Sequence, residues 1–519
     1  MSVAASPVWR RLRSALPTHP LAVALLLAGL AGFACSGGGG SSGGGAVSVS
    51  VGPSATSVTA SQTQTFTATV GGASDRSVTW SVDGIAGGNA SVGTITNDGV
   101  YTPGSAEGPH TVRATSNEDG TTSATATVGV TFLPGVFTFH NDVGRTGQNR
   151  REYALTPSSV GPDTFGKLFS CTVDGQVYAQ PLYVADLAIA GGVHNVVFVA
   201  TEHDSVYAFD ADASPCVRYW KRSFLGPNVT PIDPADTGED GDLIPEIGIT
   251  GTPVIDPASQ TLYVVPNTRE PSNYFQRLHA LDLATGNEKF GGPVVIQAQV
   301  PGTGHGTDGT NITFEALNAN QRGGLLLHDG IVYIPFASHG LDHGNPHGWL
   351  IGYDATSLAR VRVYSSTANA DSGGIWMSGD GPAVDSNGDI YFATGNGGFS
   401  ATNSLPLQAP NDALGDSVVR LSPDPQLAVA DFFTPQSQAS LATLDFDLGS
   451  GGVVVIPDGL GPGGHPDLLT AGGKEGLLYV LDRDDMGRYT AGGLDDVVQK
   501  LDLPGTRRVR DLRRAGRQG

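Results

Sequence analysis

The sequence predicts an all-β chain in which a small β-sandwich precedes a β-propeller. Three observations carry this prediction. The chain has 519 residues, which favours more than one domain. It contains 73 glycines and 33 prolines but only 15% charged residues, a composition typical of many short strands joined by turns. Finally, strand-like apolar segments recur at long, similar intervals through the second part of the chain, which indicates a repeat architecture.

The N-terminus has the composition of an export signal. Arginines within residues 10–13 precede an apolar run at 21–30 that is too short to cross a bilayer. Cys35 follows this run and resembles the cysteine of lipoprotein signals, which implies that it becomes the lipidated N-terminus. The leucine usual three residues earlier is Gly32 here. Ordinary cleavage after Ala34, which would release a soluble protein, therefore stays open.

The first two segments are predicted to export and tether the protein. Residues 1–35 are interpreted as a lipoprotein-type signal peptide, and residues 36–45, SGGGGSSGGG, as a flexible linker. Because two or three acyl chains anchor far more firmly than one, the lipid would hold the protein on the membrane. We expect an outer-membrane or cell-surface lipoprotein; a periplasmic or secreted soluble protein is the alternative. The net charge of −21 argues against a nucleic-acid partner, because an acidic surface repels phosphates.

Residues 46–132 alternate apolar and polar residues with a period of two, as half-buried strands do. Gly and Asp-Gly turns separate about seven such segments, which predicts a Greek-key sandwich. Trp80 is expected to be the only large residue central enough to fill the core. The stretch 77–104, SVTWSVDGIAGGNASVGTITNDGVYTPG, resembles a bacterial Ig-like domain of surface proteins. The resemblance implies a spacer or an adhesion module.

Residues 133–490 contain variants of one repeat. Three copies end at Asp210, Asp282 and Asp354 with a constant spacing of 72 residues, and later copies end at Ser422 and Asp482. A further strand precedes each copy, and these strands are apolar on both faces, as in sheets packed between two neighbouring sheets. Short strands in a long repeat without a helical period predict propeller blades. A β-helix would require shorter and more regular repeats.

One repeat also carries a family motif. Residues 279–290, HALDLATGNEKF, resemble the Ala-x-Asp-x-x-Thr-Gly-x-x-x-Trp signature of quinoprotein-like propellers, and the resemblance spans roughly 137–489. It implies a propeller of the quinoprotein alcohol dehydrogenase kind. Enzymes of that kind hold pyrroloquinoline quinone with a Trp floor, a disulfide of adjacent cysteines, calcium and a catalytic Asp. Trp220 and Trp376 are the candidates for stacking on such a ring, with packing between blades as the alternative. No two cysteines here are adjacent, so the quinone and calcium stay open as cofactors without support from a disulfide.

Several polar clusters are candidate metal sites. The loop 339–349, HGLDHGNPHGW, brings imidazoles and a carboxylate together, and such groups bind zinc or similar ions. Hydrogen bonding to backbone is the alternative, because no fixed ligand spacing is met. The acidic loop 236–246 does not fit the EF-hand pattern and is expected to be solvated. Lys474 and Glu475 are expected to form a local ion pair. The candidate metal ligands are His203, His339, Asp342, His343 and His347.

The remaining cysteines and the C-terminus each leave two readings open. Cys171 and Cys216 could pair in an oxidising compartment, or could be isolated buried thiols. Residues 491–519 are expected to be irregular, because the strand pattern stops and arginine-rich sequence begins near residue 506. This predicts a propeller that is incomplete at its C-terminal end. An out-of-frame read and a genuine basic tail are the two explanations.

The sequence favours a non-enzymatic binding or scaffold module over an enzyme. It contains no nucleophile elbow, phosphate loop or zinc-protease motif. A protein or glycan ligand is expected at the propeller loops or in the central channel. The alternatives are an oxidoreductase, of the pyrroloquinoline quinone type or another, and an adhesin that binds through the Ig-like domain.

Overall fold

The computed structural model describes residues 46–153, 155–157, 160–162, 165–238, 243–339, 347–401, 405, 407 and 413–503. The predicted signal peptide with Cys35, the linker 36–45 and the arginine-rich tail lie outside these residues. Within them, no helix is long and apolar enough to cross a membrane.

The first part of the described chain is a β-sandwich. A five-stranded sheet (β2-β11-β10-β5-β6), a four-stranded sheet (β3-β9-β8-β7) and the pair β1-β4 surround one core. The strands are β1 (Ser48–Gly52), β2 (Ala55–Val58), β3 (Gln64–Thr65), β4 (Thr67–Gly71), β5 (Val78–Val82), β6 (Ile85–Ala86), β7 (Gly88–Asn89), β8 (Gly93–Ile95), β9 (Val100–Thr102), β10 (Gly108–Ser116) and β11 (Ser123–Val130).

The sandwich core corrects one prediction. Trp80 is buried as expected, but Phe66 and Tyr101 are buried in the same core, so Trp80 is not its only large residue. Phe66 lies between two short strands, and Tyr101 lies in a strand of three residues. Such short segments carry too little periodicity to show which side chains reach the centre.

The rest of the described chain forms five successive antiparallel sheets, each with four strands in meander order at its centre. A hairpin, β23 with β24, lies between the second and third sheets, and the helix α1 (Gln438–Leu444) lies between the fourth and fifth. Short 3-10 turns occupy Pro234–Thr237, Met377–Gly379 and Leu448–Ser450. The first sheet contains β12 (Gly135–Val136), β13 (Leu182–Ile189), β14 (Gly192–Thr201), β15 (Ser205–Asp210) and β16 (Arg218–Ser223). The second sheet contains β17 (Thr230–Pro231), β18 (Val254–Asp256), β19 (Thr261–Val264), β20 (Asn267–Glu270), β21 (Asn273–Asp282) and β22 (Val294–Val295), and the hairpin consists of β23 (Gln299–Pro301) and β24 (Asn311–Thr313).

The third sheet contains β25 (Ala319–Asn320), β26 (Leu326–His328), β27 (Ile331–Ser338), β28 (Trp349–Asp354) and β29 (Arg360–Ser365). The fourth sheet contains β30 (Ala383–Val384), β31 (Ile390–Ala393), β32 (Val418–Leu421) and β33 (Val429–Phe433). The fifth sheet contains β34 (Val453–Val455), β35 (Leu468–Gly472), β36 (Leu477–Asp482) and β37 (Gln499–Asp502).

These sheets pack face to face, in chain order. In β19, Leu262 and Val264 join a core shared with the first sheet, whereas Tyr263 joins a core shared with the third. Because successive strand residues point to opposite faces, a sheet packed on both sides must be apolar at every position. Four such cores connect the first sheet through to the fifth, and no hydrophobic core of the described residues joins the fifth back to the first. The fold is a β-propeller, which confirms the predicted all-β class.

One segment between β12 and β13 bonds to the innermost strands of several blades. The backbone N–H of Ile255 donates to Phe137, that of Val384 to Val143, and that of Val455 to Gly144, all within 2.8–2.9 Å. The segment 137–144 therefore lies along the inner edges of the second, fourth and fifth sheets. A channel through the middle of the blades is accordingly occupied, at least at this level, by the chain itself.

Arg145 secures this segment. Its side chain is fully buried and donates to the carbonyls of Pro382 and Phe139, each at 2.9 Å, and to the hydroxyl of Thr138 at 2.6 Å. Burial lowers the pKa of Arg145 to about 10, against the attraction of Asp380. A buried charge is tolerated only when its donors are satisfied and a counter-charge is near, and both conditions hold here.

The structure also decides two points near the ends of the propeller. Cys171 and Cys216 form a disulfide that holds the segment between β12 and β13 against the loop after β15. The expectation that residues 491–519 are wholly irregular was wrong, because β37 pairs with β36 and completes the fifth sheet. This strand has the sequence QKLD, and its single apolar residue, Leu501, gives no alternating pattern to read.

Candidate functional site

In each of the five sheets, the entry to the first strand and the turn from the second to the third strand lie at one end. This follows from the antiparallel meander order of the strands. We call this the loop end, formed by the described residues 201–205, 339, 347–348, 394–401, 413–417 and 472–476, by the break 265–267 between β19 and β20, and by the entries to the first strands. Hydrogen bonds between sheets at this end, such as Ser378 Oγ to the Ser450 carbonyl, bring neighbouring loops together.

Glu202 is a fully buried acid at the loop end of the first sheet. Its Oε2 accepts from the Gly248 N–H at 2.7 Å and from the Thr250 hydroxyl at 3.2 Å, while its Oε1 has no partner. Burial raises the pKa of Glu202 to about 7, against the two hydrogen bonds and the attraction of Arg322. Near neutral pH this group is therefore present in both the protonated and the ionised form.

Asp204 and Asp416 repeat one arrangement in the first and fourth sheets. Each begins an Asp-Ser-Val sequence, is fully buried, and has a positive φ, 45° and 47° respectively. Their Oδ1 atoms accept N–H groups from the next sheet, from Asn267 at 3.2 Å and from Leu448 at 3.1 Å. Both Oδ2 atoms lack a partner. Burial raises the pKa of Asp204 well above its usual range and that of Asp416 to about 7.

Other buried polar atoms at the loop end are unpartnered in the same way. They come from four different loops, on the second, third and fourth sheets, and they include acceptors and an imidazole nitrogen. Buried polar atoms without a protein partner usually bind water, an ion or a ligand, since leaving them bare is costly. These further atoms are Asn267 Oδ1, Gln321 Oε1, Asn396 Oδ1 and His339 Nε2.

An open cavity of about 480 Å³ lies between the loop of the β23–β24 hairpin and the segment 369–372 that follows β29. Its walls carry hydroxyl, imidazole, amide and carboxylate groups. Gly373, which follows the lining residue Ser372, donates its N–H to the Asn396 carbonyl at 2.6 Å. Its volume lies within the range of ligand pockets. The lining side chains are those of Thr303, His305, Asn369, Asp371 and Ser372.

Of the two candidate tryptophans, only Trp376 lies at the loop end. It is half-buried, and a Cβ atom at Gly395 would lie 2.8 Å from its Cδ1, so its ring rests against a backbone that only glycine allows. Trp220 instead lies between the first and second sheets, where its Nε1 donates to the Leu283 carbonyl at 2.9 Å. Trp220 therefore packs blades together, away from the loop end.

Those candidate metal ligands that the structure describes do not form a cluster. His203 Nδ1 lies 3.0 Å from Glu246, and His347 contacts the Thr367 hydroxyl and the His305 carbonyl with its two nitrogens. His339 is buried, which lowers its pKa to about 4. Asp342 and His343 lie outside the described residues, as do residues 239–242 of the acidic loop. Across the part of the chain that is described, no three His, Cys, Asp or Glu side chains are placed to hold a metal.

The predicted pair of Lys474 with Glu475 was wrong. Lys474 Nζ lies 2.5 Å from Asp447 and 2.8 Å from Asp445, in the entry to the fifth sheet. Asp447 also accepts the Asn396 N–H from the fourth sheet at 2.7 Å. Sequence reasoning missed this link because the acids precede the lysine by nearly thirty residues and approach it only when the sheets assemble.

Comparison with known proteins finds similarity between this chain and solved structures of propeller proteins. No family model and no curated protein matches the sequence. Among solved structures, a quinohemoprotein alcohol dehydrogenase from Pseudomonas putida HK5 is 16% identical and matches 71% of this chain and 48% of its own, with a TM-score of 0.46. The enzyme from Comamonas testosteroni is 17% identical over 73% of this chain and 53% of its own, with a TM-score of 0.43. BamB from Moraxella catarrhalis is 13% identical over 63% of this chain and 72% of its own, with a TM-score of 0.28. The chain thus spans about half the length of either dehydrogenase.

The described residues do not fit the quinone site that the family resemblance implies. The disulfide there joins adjacent cysteines, whereas Cys171 pairs with Cys216, 45 residues away. Among the described side chains, no three from His, Cys, Asp or Glu lie together as they would around a bound ion. Trp376 alone matches the expected chemistry, and one aromatic ring is not specific for a quinone.

Proposed function

We propose that this chain is an exported, lipid-anchored binding module whose propeller binds a hydroxyl-rich ligand, of the glycan class, at the loop end. The observation that carries the proposal is the concentration there of buried carboxyl, amide and imidazole atoms without a protein partner. The neighbouring polar cavity of about 480 Å³ provides room for one or two sugar rings.

The protonation behaviour of the acids favours a hydroxyl-rich ligand. A carboxyl group with a pKa of about 7, as at Glu202 and Asp416, both donates and accepts hydrogen bonds near neutral pH. Hydroxyl groups also do both, so the two sets of groups are complementary. An anionic ligand is disfavoured, because the chain carries a net charge of −21.

Support for export and anchoring comes from the sequence. The basic and apolar leader, Cys35 and the Gly/Ser linker 36–45 together have the order of a tethered lipoprotein. The sandwich of residues 46–132 resembles an Ig-like spacer and would hold the propeller away from the membrane. The outer membrane or cell surface is therefore the proposed location.

The test is a screen of purified full-length protein on a glycan array, followed by calorimetry with the best ligand. Glu202→Met removes the buried carboxyl and is expected to weaken binding at least tenfold. Glu202→Gln keeps a donor and an acceptor and should stay within a few fold of the unaltered protein. Asp484→Asn, at an exposed loop of the fifth sheet, is the matched control and should leave the affinity unchanged.

Three results would overturn the proposal. Equal binding by Glu202→Met and the unaltered protein would remove the loop end from the site. Loss of binding only on deletion of residues 46–132 would identify the sandwich as the adhesive part. Dye reduction with alcohols or sugars after addition of pyrroloquinoline quinone and calcium would establish the oxidoreductase instead.

A further inference from the structure

Exposed large apolar residues concentrate at the two ends of the blade series. Of the eighteen that the described structure exposes, eight lie within residues 155–217, between β12 and β16 of the first sheet, and four lie within residues 460–503, in β37 and the loops of the fifth sheet. Exposed patches of apolar residues on soluble proteins commonly mark interaction surfaces. The middle blades show few of them, because each is covered on both faces by its neighbours.

The fifth sheet has one covered and one uncovered apolar face. Leu469 and Leu481 belong to the core shared with the fourth sheet. On the opposite face, cross-strand pairing aligns Leu478 with Leu501, and Val480 lies on the same face of β36 as Leu478. These residues are only half-buried or exposed, Leu501 to 37%, and belong to no core of the described chain. We call this surface the fifth face.

The first sheet likewise has an apolar face turned away from the second sheet. Val199 pairs with Tyr207 across β14 and β15 on this face, and neither residue belongs to a hydrophobic core cluster. Tyr207 is buried on this face, only 3% exposed. The disulfide-tied segment between β12 and β13 reaches Tyr207, because the Asp174 N–H donates to the Tyr207 hydroxyl at 3.1 Å. That segment itself exposes Phe165 to 62% and Leu168 to 89%. We call this surface, with its segment, the first face.

The two faces differ in charge at their edge strands. β16, the edge of the first sheet, carries Arg218, Lys221 and Arg222 and no acid. Lys221 pairs with Asp174 and Arg222 with Glu288 of the same chain, so these three basic and two acidic groups leave a net charge of +1 (3 − 2). The edge of the fifth sheet, with the loop before it, carries five aspartates against two basic residues within 484–502. A basic edge on one surface and an acidic edge on the other steer unlike surfaces together and keep like surfaces apart.

We propose that the first face of one copy of this chain packs on the fifth face of a second copy. The contact would repeat the sheet-on-sheet packing that already joins the five blades within a copy. It is a head-to-tail contact between unlike surfaces, so each pair keeps one free face of each kind and can extend or close into a ring. A two-fold contact of like surfaces would instead bring the acidic edges together.

Sedimentation velocity of full-length protein, in a density-matched detergent that holds the anchor, tests this association. The unaltered protein should form dimers or larger species that dissociate on dilution. Leu168→Asp blocks the first face and Leu501→Asp blocks the fifth; each should weaken association at least tenfold. Leu444→Asp, at an exposed site on α1, is the matched control and should associate like the unaltered protein.

Mixing the two blocked variants gives the decisive result. Leu168→Asp retains its fifth face and Leu501→Asp retains its first face, so an equimolar mixture should form a one-to-one dimer with the affinity of the unaltered protein. Monomers at every concentration of the unaltered protein would overturn the proposal. So would a mixture that stays monomeric, or association abolished by only one of the two variants, which indicates a contact between like faces.

Discussion

Replacing Asp416 with Asn should stabilise the protein at alkaline pH and give no gain in stability at acid pH. Asp416 is fully buried, with one oxygen bonded to the Leu448 N–H and the other unpartnered. Burial raises its pKa from 3.8 to about 7, with repulsion from Asp447 adding to the rise and Lys474 opposing it. Because the folded state then binds the proton more tightly than the unfolded state, this group makes stability fall as pH rises from about 4 to 7.

The magnitude follows from the shift. One pKa unit corresponds to about 1.4 kcal/mol, so a rise of roughly three units costs about 4 kcal/mol of folding free energy above pH 7. Asn does not titrate and keeps the acceptor for Leu448, but its amide adds a buried donor that costs about 1–3 kcal/mol. The expected net gain for Asp416→Asn is about 1–3 kcal/mol at pH 8, with no gain at pH 4.

Urea unfolding followed by tryptophan fluorescence, at pH 4.5, 6 and 8, measures this difference. Asp424→Asn is the control of opposite sign. The hydroxyl of Ser422 and backbone N–H groups lower the pKa of Asp424, so it adds stability above its ordinary pKa and loses it as pH falls. The reasoning is refuted if the gap between Asp416→Asn and the unaltered protein does not widen with pH, or if both variants follow the same trend.

Three further outcomes are expected. Arg145→Met should destabilise the propeller by about 3–5 kcal/mol in urea unfolding, because it removes the counter-charge near buried Asp380 and the donor to the buried carbonyls of Phe139 and Pro382; Arg145→Lys should recover only part of the loss, and equal stability of all three proteins would contradict the assigned role. Replacing both Cys171 and Cys216 with Ser should cost about 4 kcal/mol, the loop-closure entropy of their separation of 45 residues, and treatment with reductant should affect only the unaltered protein. Cys35→Ser should move the protein from the membrane fraction to the soluble fraction, and its retention in the membrane would exclude lipid as the tether.

Local pattern in the sequence was enough to predict the strands and their stacking. In a half-buried strand apolar and polar residues alternate, and in a strand between two sheets every residue is apolar. Either pattern shows which side chains are buried, because side-chain direction follows the local period of the backbone. The spacing of Asp210, Asp282 and Asp354 therefore predicted blades that the structure confirms. It did not show the strand at Gln499–Asp502, where backbone pairing holds a segment with one apolar residue.

The site depended on contacts that no local pattern encodes. Asp204 and Asp416 share the sequence Asp-Ser-Val, a signal that could have identified them, but their burial comes from loops of the following sheet. From the sequence alone, Trp220 and Trp376 were both candidates for stacking on a ring. Only the packing of the sheets places Trp220 between blades and Trp376 at the loop end.

The sequence by itself determined most of the strands and the repeat, whereas the tertiary structure decided which polar groups are removed from contact with water. Arg145 lies in a short polar stretch like any surface loop, yet its segment bonds to the inner strands of three sheets. Desolvation depends on all the atoms that surround a group, and for Arg145 and Asp416 those atoms come from residues far away in the chain.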